Sequence, residues 1–312
     1  MKKLFAAVLA AMLALCAGAA GAEVYTAAQL KADPALYEGQ LPEGAADTDE
    51  FVGLYGLLFP RGAAVIDFGS VKIKDTAELE EGLSQFPALE EVDMYESSLS
   101  REQMASLAEK YPALHFGWTL KVGSYKVRTD TTAFSSLHSP QNTHYPTSHY
   151  EILKYCWQIE ALDLGHNKLT DISFIGTMKN LKLLILADNQ IKDISPLKDL
   201  KQLEYVELFM NKIADLSPLE GMENLLDLNL CYNRMDDMSA VYTMPKLERL
   251  WVSHNKLSKE TMNEMKEKLP DTHICFSSSG STDQGWRKHE RYYVIKNVFD
   301  NWSYRPFEEA AE

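Results

Sequence analysis

The chain has 312 residues, with 45 acidic against 31 basic side chains and a formal charge of −14 at pH 7. That balance repels nucleic acid and anionic membrane surfaces, so neither is expected as a partner. The length allows one large or two medium domains.

The N-terminus reads as an export signal. Lys2 and Lys3 form a basic start, Leu4 to Cys16 is an apolar run, and Ala17 to Ala22 are small residues, the layout of a secretory signal peptide. The run is too short for a membrane span, which needs about 20 apolar residues. Cleavage is expected after Ala22, giving a protein that is secreted, extracellular or associated with the cell envelope, with no membrane insertion once the signal is removed. Acylation of Cys16 is the alternative; Leu15 just before it, where a small residue would be needed, argues against it. The mature chain loses two lysines and becomes more negative. It keeps Cys156, Cys231 and Cys275, an odd number that leaves at least one free thiol. No CxxC pair is present, so a zinc site is not expected; no other metal site and no cofactor is assigned.

Residues 23–61 carry no clear pattern and are set down as an N-terminal segment or cap. A first, degenerate repeat block is expected over 62–119. Val65 to Leu83 looks like one worn unit. A longer unit follows, "PALEEVDMYESSLSREQMASLAEKYPALHFGW" from Pro87. In it Ser100 reads as a helix N-cap, and Met104, Leu107 and Tyr111 share a helical face. Residues 120–150 form an insertion: apolar-polar alternation flanks Val122-Gly123-Ser124-Tyr125, a β-hairpin signal, and "SSLHSPQNTHYPTSH" reads as a loop.

The main block spans 151–276. Asn167, Asn189, Asn211, Asn233 and Asn255 recur every 22 residues, and the apolar positions keep phase with them. Ile159, Leu181, Leu203, Leu225 and Leu247 open the units. Leu162, Leu184, Val206, Leu228 and Leu250 follow, then Leu164, Leu186, Leu208, Leu230 and Val252. The pattern is L-x-x-L-x-L-x-x-N-x-L in five registers, the mark of a stacked repeat. The L-x-L core is a short strand with alternating sides. The Asn points into the following turn, where its amide can pair with otherwise orphaned backbone groups, so the five are expected to form a structural ladder. Asp-x-Ser triplets at 171–173, 193–195, 215–217 and 237–239 start the return path. A unit this short leaves room only for 3₁₀ turns there. The long unit form recurs from Pro245, 158 residues after Pro87, with Ser258 as the N-cap. The tail 277–312 starts Ser/Gly-rich. Ile295, Val298, Phe299 and Trp302 then show helical spacing, read as a C-terminal cap over the last open strand edge.

The segment "NQIKDISPLKDLKQLEYVELFMNKIADLSPLEGM" resembles the internalin-type class of bacterial leucine-rich repeats, and the chain is similar more broadly to secreted repeat proteins of gut-type Firmicutes. The resemblance is strong over Tyr155 to Phe276 and weak elsewhere. It implies a curved α/β solenoid, a right-handed superhelix with a parallel sheet on its concave face and mostly 3₁₀ turns and short helices on the convex one. It also implies a scaffold for recognising a protein or glycan.

Repeat phase assigns a face to each strand residue. Asp163, Leu183, Ile185, Tyr205, Glu207, Phe209, Met210, Asp227, Asn229, Tyr232, Arg249, Trp251 and His254 fall on the concave side and are expected to tile an exposed, aromatic-rich, acidic-bordered patch. Such a patch is a binding surface, suited to a neutral or basic polypeptide or to a glycan stacked on rings. The competing reading is that the tail or the hairpin loop folds over this face. His138, His144 and His149 share a loop, with a spacing that fits no metal site. Cys231 is expected as a free thiol on the concave face, and Cys156 as buried filler. No G-x-S-x-G, phosphate loop or H-E-x-x-H is present, so no catalytic residue is assigned. The chain is read as a non-catalytic recognition protein. A structural, self-associating envelope subunit is the alternative, and a hydrolase a remote one.

Overall fold

The computed structural model describes residues 51–137 and 144–307. The expected signal peptide, Cys16, most of the N-terminal segment and His138 lie outside them. The chain divides into two compact units, up to Leu114 and from His115 onward.

In the first unit, β1 (Phe51–Leu54) and β2 (Leu57–Pro60) pair antiparallel, with Leu54 opposite Leu57. Tyr55 and Gly56 both take positive φ (50° and 76°), which a two-residue hairpin needs if its twist is to match the strands. Then follow β3 (Val65–Asp67), α1 (Ala77–Gly82), β4 (Glu91–Asp93) and α2 (Arg101–Lys110). The parallel pairing of β3 with β4 is the repeat geometry expected of the worn unit and its long successor. Ser100 caps α2 as expected. Its hydroxyl accepts from Gln103 N–H (3.2 Å), and the Gln103 side chain accepts from Ser100 N–H (2.8 Å), a capping box.

The second unit begins with β5 (His115–Gly117) and the hairpin of β6 (Thr119–Val122) and β7 (Tyr125–Arg128), turning at Gly123-Ser124. A sheet of seven parallel strands follows in strict chain order: β8 (Ala133–Ser135), β9 (Ala161–Asp163), β10 (Leu183–Ile185), β11 (Tyr205–Glu207), β12 (Asp227–Asn229), β13 (Arg249–Trp251) and β14 (His273–Cys275). The sheet starts earlier than the 22-residue pattern, because β8 lies within the expected insertion. A short helix, α3 (Thr147–Tyr150), also stands where a loop was expected. In β9 to β13 the middle residues Leu162, Leu184, Val206, Leu228 and Leu250 are fully buried in the repeat core. Cys156, Met178, Leu200, Met222 and Met244 fill another layer in phase.

The asparagines make the ladder in detail. Asn211 Nδ2 donates to Leu186 O (2.9 Å) in the preceding unit and to Leu208 O (3.1 Å) in its own, while its Oδ1 accepts from Ile191 N–H (3.0 Å). Asn189, Asn233 and Asn255 repeat this set. Asn167, at the start, bonds instead to Ser136 Oγ and accepts from Tyr145 N–H and the Tyr150 hydroxyl. Buried carbonyls that no strand partner reaches are thereby satisfied, and each unit is tied to the one before. On the return path the carboxylates of Asp171, Asp193, Asp215 and Asp237 accept from Ser173, Ser195, Ser217 and Ser239 N–H at 2.7–2.8 Å. These Asx turns open the four 3₁₀ segments. The long unit ends in α4 (Lys259–Lys268), capped by Ser258. The architecture is a leucine-rich-repeat solenoid.

The tail follows the competing reading of the concave face and not the edge-cap reading. After β14 it makes a 3₁₀ turn (Trp286–Lys288) and α5 (Glu290–Asn301). Rather than covering the β14 edge, it crosses the face of the sheet opposite the repeat core and returns to β8. Trp302 packs on Phe134 and Tyr125 with ring centroids 5.1 and 5.2 Å apart, and Tyr304 N–H donates to Thr132 Oγ1 (3.0 Å).

Candidate functional site

The face expected to be open is therefore occupied. Leu183, Tyr205, Phe209 and Trp251 form one apolar cluster with Trp286, Ile295, Val298 and Phe299 of the tail. Trp251 and Tyr205 are at most 1% exposed. Asp163, Glu207, Asp227, Asn229 and Arg249 are buried too, and Ile185 is half-buried. The expected exposed patch is corrected for all ten. The physical reason is that the two apolar surfaces, the strand face and the 295/298/299 stripe, lose most contact with water by burying each other.

The polar members of the face bind the tail with directional contacts. Arg249 holds Asp227 with both ends of its fork (Nε to Oδ1 2.7 Å, Nη2 to Oδ2 2.8 Å) and donates from Nη1 to Trp286 O (3.2 Å). Its guanidinium lies over the Trp286 ring, 4.6 Å from the centroid. Arg291 of α5 adds a third bond to Asp227 (2.9 Å) and pairs with Glu248. Asp227, 0% exposed, thus sits between two guanidiniums. Trp251 Nε1 donates to Asp283 O (2.9 Å), Asn229 Nδ2 to Ser281 O (2.8 Å), and Trp286 Nε1 to Glu207 Oε1 (2.7 Å), which also accepts from the Tyr205 hydroxyl. The last four bonds join residues that sequence phase picked out as ligand contacts to residues 281–286 of their own chain, or to one another.

Cys231 is likewise covered, correcting the expected open thiol. It accepts from the Ser253 hydroxyl (3.1 Å), and burial pushes its thiol up from the ordinary range. Burial does the same to Cys156 and Cys275, the direction that disfavours the nucleophilic thiolate. All three are free. Among the described residues no three His, Cys, Asp or Glu side chains gather as a metal site. His149 instead stacks on Tyr145, 4.0 Å between centroids.

Three members of the sequence-derived set do reach the surface. Met210 is 43% exposed, His254 is exposed, and Tyr232 is half-buried. They belong to a row with His144, His166 and Asp188, each 22 residues from the next and each at positive φ between 52° and 67°. The row borders the sheet at the ladder turns. His166 Nδ1 donates to Asp188 Oδ2 (2.9 Å), and Tyr232 and His254 stack at 4.0 Å. Tyr232 and His254 also donate to the carbonyls of Ser279 and Ser278 (3.1 and 2.8 Å). The remaining groups at this face that sequence phase left out are Trp286, Arg287 and Arg291, which come from the tail.

A family model described as leucine-rich repeats in two copies matches residues 179–221. A search of curated proteins returns no match. Among solved structures the chain is similar to an internalin C2 of Listeria monocytogenes (19% identity, 70% of this chain and 85% of that one, TM-score 0.37). It is also similar to a second internalin of that organism (22%, 66% and 65%, 0.43) and to a leucine-rich-repeat protein of Leptospira interrogans (20%, 68% and 54%, 0.35). Residues 179–221 are thus leucine-rich repeats by their own sequence, and the 22-residue step carries the same architecture on to Asn255.

Proposed function

We propose that the chain is a non-catalytic recognition scaffold that works outside the cell or at its envelope, and that it engages a polypeptide along the row His166, Asp188, Met210, Tyr232 and His254. The observation that carries this is the row itself: five variable, surface-reaching side chains held in line by a rigid asparagine ladder. Each occupies a backbone region that glycine enters without cost and other residues rarely adopt. Side chains kept at such positions mark sites worth testing for function. The non-catalytic part is supported by Asp227 being held by two arginines inside the fold and by the burial of the thiols of Cys156, Cys231 and Cys275. The export part is supported by the Lys2–Ala22 pattern. A glycan stacked on the sheet's aromatic rings loses its support, since those rings are covered.

An array of secreted peptides and glycans, probed with wild type and a Met210→Asp, Asp188→Lys variant, tests the reading. Peptide signals should fall at least tenfold in the variant and persist in Lys201→Ala on the opposite side. Signals unchanged in the row variant, or confined to glycans, would sink it. Homotypic association by light scattering, abolished by no row substitution, would favour the structural-subunit alternative.

A further inference from the structure

The tail does not seal the sheet evenly. Between α5 and strands β9 to β11 it leaves a cleft of about 180 Å³. Its floor carries Asp163 and Glu207, two strands apart and so roughly 10 Å from each other by sheet spacing, with Ile185 between them. Its roof is apolar, from Ile295 and Phe299. Glu207 is 1% exposed, and its Oε1 is taken by Trp286 and Tyr205. Its Oε2 is buried and accepts no hydrogen bond. The nearest cation is Arg287 Nη2 at 3.9 Å, beyond hydrogen-bond reach, on a side chain 45% exposed at the cleft's rim. Lys296, also at the rim, is held by Asp300. Asp163 has only neutral donors, the Ser135 hydroxyl (2.9 Å) and Gly165 N–H (3.0 Å). Burial pushes its carboxyl up to about 6, outweighing the Gly165 and Ser135 bonds and the nearby His166 ring, as desolvation does to a carboxyl. A buried carboxylate oxygen left without a donor costs free energy that a bound cation would recover.

We propose that this cleft is a binding site for a small aliphatic amine, best a short diamine, with one ammonium on Glu207 Oε2, the other facing Asp163, and the methylene stem along Ile185, Ile295 and Phe299. The site stands on the cleft's own geometry and not on the proposed function, although His166 of the surface row also lines the cleft. An ammonium supplies the missing donor, the apolar walls match the stem, and the separation of the two carboxylates favours two charged ends over one. Arg287 competes for Glu207 from the rim.

The test is calorimetric titration and thermal unfolding of the full chain at about 0.15 M salt with putrescine, n-butylamine and n-butanol. Putrescine should bind one per chain and raise the melting temperature, butylamine should bind at least tenfold more weakly, and butanol should do neither. Glu207→Gln should weaken putrescine binding at least tenfold. Arg287→Ala, at an exposed rim residue, should tighten it severalfold. No binding to wild type, equal effects of amine and alcohol, or putrescine binding unchanged in Arg287→Ala would overturn the proposal. The last result decides the matter even if Glu207→Gln fails to fold.

Discussion

Asp163 and Asp227 lie three strands apart on one sheet face, under one covering segment, and are both removed from water. Asp227 is gripped by Arg249 from its own sheet and by Arg291 from the tail. Asp163 meets a hydroxyl and an amide, and above it the tail offers apolar side chains. The difference shows that burial alone does not determine what a carboxylate does for a fold. At Asp227 charge is what fastens the tail. At Asp163 charge is a burden the neutral donors only partly relieve.

The contrast can be broken by the same change at both sites. Asp227→Asn should destabilise the protein by about 3–5 kcal/mol, since it leaves the buried Arg249 without its counter-charge and Arg291 with only the exposed Glu248; urea unfolding measures it. Asp163→Asn should stabilise by about 2 kcal/mol near pH 8, because the amide oxygen keeps the Gly165 N–H bond and the amide nitrogen can donate to the Ser135 hydroxyl, without the desolvated charge. The sign follows from the folded carboxyl titrating near 6, above its unfolded value. The folded state holds the proton more tightly, so this group's contribution is most favourable below about pH 4. It declines as pH rises through 4 to 6 and is flat above. Asp163→Asn should flatten that slope; a slope identical to wild type in pH-resolved urea unfolding would refute the assignment. Between the two sites, Trp286→Phe keeps most of the ring packing but removes the donor to Glu207, and should cost about 1–2 kcal/mol. Glu248→Gln, whose carboxylate is exposed beside Arg291, should cost below about 1 kcal/mol. A larger loss there would mean that the tail depends on its surface pair more than on Asp227.

The sheet, its register and the asparagine ladder were legible because a fixed 22-residue step sorts each residue into core, turn or opposite face. Pro87 and Pro245 announced the two helical units with their serine caps in the same way. β8 was missed because Ala133-Phe134-Ser135 lacks the leucine and asparagine that flag the later strands, although it pairs with β9 just as they pair among themselves. The covered face was legible only in halves. Phase correctly placed Tyr205, Phe209 and Trp251 together, and helical spacing correctly grouped Ile295, Val298 and Phe299. Nothing in either period states that the two groups meet. Two unmatched apolar surfaces in one chain were the available signal; it supported the competing reading of a covered face, while the edge-cap reading of the tail separated them. The row at His166 to His254 was half seen. Its left-handed backbone is a property of the turn that residue type alone does not disclose.

Most solenoids can in principle gain or lose a unit without altering the others, since each touches only its neighbours. Here the return of Trp302 and Tyr304 to the strand where the sheet begins sets a length. Inserting one more 22-residue unit would widen the sheet by about 4.8 Å, and the arginine latch and the far tryptophan anchor could no longer both be reached. The tail acts as a ruler for the number of repeats, and it joins first strand to last, so the array should unfold in a single concerted step where an open array would fray from its ends.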